Sequence, residues 1–131
     1  MIRVLLAATL LALPANAETI VSPSEFQNMS EGKTLYFSRN GEYYGAEQYY
    51  TRRQSLWQFS NGECEHGRWF AQGDQICFVY EDSLEPVCWN FLQRDDGSFV
   101  ARADGSDAAF DLLLERTDDE PLECKGPAIG A

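Results

Sequence analysis

A chain of 131 residues suits one domain and leaves no room for two. Its formal net charge of −11 disfavours nucleic acid and anionic membrane surfaces as partners. It carries no G-x-S-x-G, G-x-G-x-x-G, Walker loop or H-E-x-x-H, and a single histidine, so most hydrolase designs fall away.

Residues 1–17 read as an export signal. Arg3 gives a positive start, Val4 to Leu13 is an apolar run, and Ala15-Asn16-Ala17 follows Pro14 in the small-x-small pattern of a cleavage site. The run is shorter than the roughly 20 apolar residues that span a bilayer. A buried N-terminal helix is the rival reading. Cleavage would leave one domain, 18–131, in the periplasm or outside the cell, with no stable membrane insertion. Losing Arg3 sharpens an acidic balance whose ordinary meaning is solubility.

After the lead-in Glu18 to Val21, a short helix is expected over 22–31. Ser22 caps it, Pro23 takes the first helical position and Glu25 completes an S-x-x-E box. Phe26 and Met29 share a face, and Gly32 stops the helix. Two turns of helix do not stand alone, so one end of a barrel or sheet is the expected seat.

From Lys33 onward, short aromatic and β-branched segments alternate with turn signals such as Asn40-Gly41, Asn61-Gly62, Asp96-Gly97 and Asp104-Gly105. The segments are Lys33–Arg39, Glu42–Thr51, Gln54–Ser60, Glu63–Ala71, Gln75–Glu81, Val87–Arg94, Ser98–Ala103 and Asp107–Arg116. About eight strands in an antiparallel meander predict an all-β domain, closed or nearly closed into a small barrel because closure removes exposed edges. A β-sandwich is the alternative. Asp107–Arg116 is the ambiguous strand, since Leu112-Leu113-Leu114 also suits a helix. A C-terminal tail, 117–131, follows.

An even count of four cysteines in an exported chain favours two disulfides over zinc, for which no C-x-x-C exists. A four-residue turn at 81–84 places Ile76 opposite Trp89, Phe78 opposite Val87 and Cys77 opposite Cys88. Cys77–Cys88 is therefore expected, and Cys64–Cys124 by elimination. The latter closes the longer loop and should contribute about 3–4 kcal/mol in the chain-entropy account.

Two groups of side chains are candidates for ligand or partner binding. A two-residue turn at Asn61-Gly62 would put His66, the only histidine, opposite Trp57, with a bulge at Gly67 returning Trp69 to that face. Packing on Trp57 is the plainer reading of His66. The second group is Tyr43, Tyr44, Tyr49, Arg52 and Arg53, residue types favoured as binding anchors, with Glu47 on the Tyr43 and Tyr49 face. Cross-strand aromatic packing is the plainer reading of the tyrosines. Asp95 to Ser98 and Asp104 to Asp107 lack calcium-loop spacing and read as turns. Asn28-Met29-Ser30 matches a glycosylation sequon, which matters only in a eukaryotic secretory pathway. No catalytic residue, metal ligand or cofactor is expected, although a carboxylate pair of glycosidase type stays open.

Gly45-Ala46-Glu47-Gln48-Tyr49, Leu56-Trp57, Cys64-x-x-Gly67-x-Trp69, Ile76-Cys77-Phe78-x-Tyr80 and Cys88-Trp89 resemble short exported proteins of Gram-negative bacteria of unknown function. The resemblance spans 22–94 and implies a periplasmic location and no known activity. The expected function is a non-catalytic binding or accessory module with a small ligand or periplasmic protein as partner. The alternatives are an inhibitor or partner of an envelope enzyme, and a small hydrolase of cell-wall or glycan substrates.

Overall fold

A computed structural model describes residues 1, 8–12 and 17–127. Most of the expected leader, with its cleavage pattern, and the last four residues of the expected tail lie outside the described residues. Among the described residues no helix is long and apolar enough to cross a membrane.

Turn chemistry and alternation produce the strands. They are β1 (Glu18–Ile20), β2 (Thr34–Arg39), β3 (Glu42–Tyr49), β4 (Gln54–Phe59), β5 (Cys64–Gln72), β6 (Gln75–Tyr80), β7 (Ser83–Arg94), β8 (Phe99–Ala103) and β9 (Leu112–Asp118). From β2 onward each strand pairs antiparallel with the next, and β9 returns to β2. The eight strands form a closed up-and-down barrel, not a sandwich. β1 is a ninth strand that the lead-in did not announce. It pairs with Leu92 to Arg94 of β7, a strand long enough to share one edge between β6 and β1. Arg102 fastens β1 by bonding Glu18 at 2.9 and 3.0 Å while also gripping the buried Asp111 at 2.7 and 2.8 Å.

Two strand boundaries differ from expectation. β7 begins at Ser83 because Tyr80 already pairs with Ser83 across Glu81-Asp82, and a bulge restores the expected register at Phe78 and Val87. The segment from Asp107 opens with a 3₁₀ turn, Ala108–Phe110, whose first amide (Ala109 N) donates to the Asp107 carboxylate. Phe110 is consequently exposed, and alternation begins only at Leu112.

Helix α1 (Pro23–Ser30) carries the expected capping box and seats at one end of the barrel. Phe26 is fully buried there, its ring centroid 4.4 Å from Phe91, 5.1 Å from Trp69 and 5.3 Å from Tyr49. Arg53 holds the helix from the barrel side, stacking 4.4 Å above Trp69 and donating to Gln27.

Both expected disulfides are present. Cys77–Cys88 crosses the β6–β7 hairpin on the outer face, in the expected register. Cys64–Cys124 anchors the tail, which runs outside the barrel as a strap over four strands. Thr34 of β2 donates to Glu120 O at 2.7 Å, Leu122 N to Gln48 of β3 at 2.9 Å, and Gln58 of β4 to Glu123 O at 2.7 Å. The bridge to β5 completes the crossing.

Candidate functional site

The barrel end opposite α1 is open. Behind it lies a cavity of about 590 Å³. Eight-stranded barrels are just wide enough either to fill with side chains or to hold one small ligand, and this one does each at a different end.

The cavity has two unlike walls. Phe37 of β2, Val87, Trp89 and Phe91 of β7, Ala101 of β8 and Leu112 of β9 make an apolar wall. The wall from β3 to β6 is aromatic and acidic. Glu47 lies opposite Trp57, and Trp57 opposite Glu65, so the three form a row across β3, β4 and β5. The ladder runs one step further, because Glu81 N donates to His66 O, and this carries Asp82 beside Glu65 at the mouth. Tyr44 packs on Trp57 at 5.9 Å, and Phe59 meets Trp57 edge-on at 6.2 Å.

Two glycines allow this row to form. A side chain at Gly45 would collide with the Trp57 ring and with Gln58 O at 2.6 Å. One at Gly67 would meet the Tyr80 ring at 2.6 Å. The missing side chains let both rings lie flat over the neighbouring strand. Tyr80, stacked on Phe78, then reaches across to both carboxyl oxygens of Glu47, at 3.1 and 2.9 Å.

Glu47 is 2 % exposed. Burial pushes its carboxyl up to about 8, and the charge of Glu65 adds to that. The Tyr80 and Ser55 hydroxyls pull the other way, although Ser55 Oγ is not in hydrogen-bonding geometry with any partner. Glu65 is 5 % exposed, and its Oε2 has no partner. Burial, a proton-sharing hydrogen bond with the Asp82 carboxyl group and the Asp82 charge raise it to about 7. The Tyr49 and Tyr80 hydroxyls are also pushed well up, by burial and then by Glu47. Near neutral pH the site therefore stores protons on carboxyl groups that would ionise if a compensating positive charge arrived.

The candidate residues are partly brought together. Tyr43, Tyr44, Glu47, Tyr49 and Trp57 all border the cavity. Simple alternation set Tyr43 and Tyr44 on opposite faces. A bulge between Phe37 and Ser38 places two β3 residues against one of β2, and both tyrosines reach the rim. Arg52 and Arg53 lie at the other end of β3, roughly 20–25 Å away at about 3.3 Å per residue. They belong to the plugged end.

His66 is corrected outright. It pairs with Leu56, and Glu65 takes the place opposite Trp57 that was expected of His66. The turn at Asn61-Gly62 has only Gly62 at positive φ, with Gly62 N bonded to Phe59 O and Phe59 N to Glu63 O. That is a type I turn with a glycine bulge, one residue longer than the two-residue turn expected. His66 consequently points outward, where it borders a second, smaller hollow with Gln54, Arg68 and Leu84. Gly67 makes no bulge; Trp69 faces inward by plain alternation. Glu65, Tyr80, Asp82 and Trp89 were not anticipated as site residues, and the turn length at Asn61-Gly62 is the signal that separates Glu65 from His66. Among the described residues no group of three or more His, Cys, Asp or Glu side chains is placed to hold a metal ion. No protein-family model, curated protein or solved structure matches the chain.

Proposed function

We propose that the protein is a non-catalytic binding module that takes one small amphipathic ligand into the open end of its barrel, in the periplasm or outside the cell. The observation that carries this reading is the cavity itself. About 590 Å³ lies within the range of small-molecule sites, and its lining is mainly apolar with a few convergent polar groups. A barrel that merely packed its interior would fill this end as it fills the end under α1. Two disulfides support an oxidising compartment. An inhibitor built on a joint Tyr and Arg patch draws less support, because β3 separates the two groups.

A neutral fluorophore that brightens in apolar surroundings tests the reading. Saturable, one-to-one binding is expected, lost in Val87→Trp, which fills the mouth from a half-exposed position. Absence of binding by the wild type, or equal binding by Val87→Trp, would overturn it.

A further inference from the structure

Resting on that reading, we infer that the ligand is an organic cation: an ammonium group on an apolar or aromatic body, with the ammonium seated between Glu65 and Glu47 and the body against the wall of Val87, Trp89 and Phe91. The unpartnered Oε2 of Glu65, on a side chain only 5 % exposed, is the decisive observation. A buried carboxyl oxygen without a partner is costly, and the group the fold sets against Glu65 is another acid, Asp82, which shares a proton with it and brings no positive charge. Its neighbours in the cavity are further acids, Glu47, Asp82 and Glu85. No Lys, Arg or His among the described residues lines the cavity. Arg39 is stacked on Tyr44 at 4.6 Å and is not part of the lining.

The missing positive charge must come from outside, and its chemistry is constrained. A bare metal ion needs several oxygen ligands converging on one point, and no cluster of three is formed. An ammonium needs only two or three acceptors and also gains from aromatic faces, which Trp57 and Tyr80 provide beside the acids. The raised carboxyl groups of Glu47 and Glu65 fit the same picture. Each holds a proton that an arriving cation displaces.

Three probes with one naphthalene body separate the possibilities: 1-naphthylmethylammonium, 1-naphthalenemethanol and 1-naphthoate. Binding is read at neutral pH by quenching of tryptophan fluorescence and by titration calorimetry. The ammonium is expected to bind about tenfold or more tighter than the alcohol, with the carboxylate weakest. In Glu65→Gln and Glu47→Gln the preference for the ammonium over the alcohol should shrink to about threefold. Asp119→Asn, an equal charge change at an exposed site on the strap, should leave the preference intact. Alcohol binding as tight as ammonium binding overturns the cation inference and leaves the binding module standing. Failure of all three probes overturns both.

Discussion

Glu47 shows what a buried acid does to a small barrel. Its folded-state pKa of about 8 lies above the ordinary 4.5. Below 4.5 both folded and unfolded chains hold the proton, and the group is neutral to stability. As pH rises from there to about 8, the unfolded chain releases a proton that the folded chain keeps. Stability therefore falls across that window and levels above it. The loss from Glu47 is on the order of 5 kcal/mol. Glu65 acts with the same sign up to about 7. Glu47→Gln should flatten most of the slope: as stable as the wild type below pH 4.5, and more stable by several kcal/mol above pH 8. Urea unfolding at both ends of the range measures this, and a wild type whose stability does not fall with pH would contradict the burial.

At the scale of elements, the strand pair β5–β6 depends on an absent side chain. Gly67→Ala forces a Cβ into the Tyr80 ring and towards Val79 O at 3.1 Å, so the ring must move off β5. The expected result is a loss of about 1–3 kcal/mol in thermal unfolding, together with release of the Tyr80 contact to Glu47. The same elements show what a sequence reader sees. The β6–β7 register was legible because inward Ile76 and Phe78 alternate against Trp89 and Val87, which leaves the two cysteines one relative alignment. The β4–β5 register was not. Asn40-Gly41 and Asn61-Gly62 are the same dipeptide, yet the first has both residues at positive φ and the second only its glycine. That difference moves one residue across the loop, and in a strand one residue exchanges the two faces. His66 and Glu65 changed places for that reason alone. β1 escaped notice because three residues carry no period, and its partner edge exists only once β7 outruns β6.

At the scale of the whole molecule, the plug and the strap divide the work of holding the barrel shut. α1 fills one end, while the strap crosses β2 to β5 and so braces the strands that bear Glu47, Trp57 and Glu65. Replacing Cys64 and Cys124 together by serine should lower stability by about 3–4 kcal/mol. It should also weaken ligand binding more than the same change at Cys77 and Cys88, whose loop is far shorter. Unfolding curves and probe titrations on the two double variants decide it; equal effects on binding would count against bracing.

The strap also imposes a timetable on biogenesis. A chain made from its N-terminus presents Cys64 first, then Cys77 and Cys88, and Cys124 last of the four. Cys64 must wait, as a thiol, through the arrival of two wrong partners. The β6–β7 hairpin sets both competitors opposite each other, only 11 residues apart in the chain. With the short bridge closed, Cys64 and Cys124 are each left with the other as the one remaining native partner.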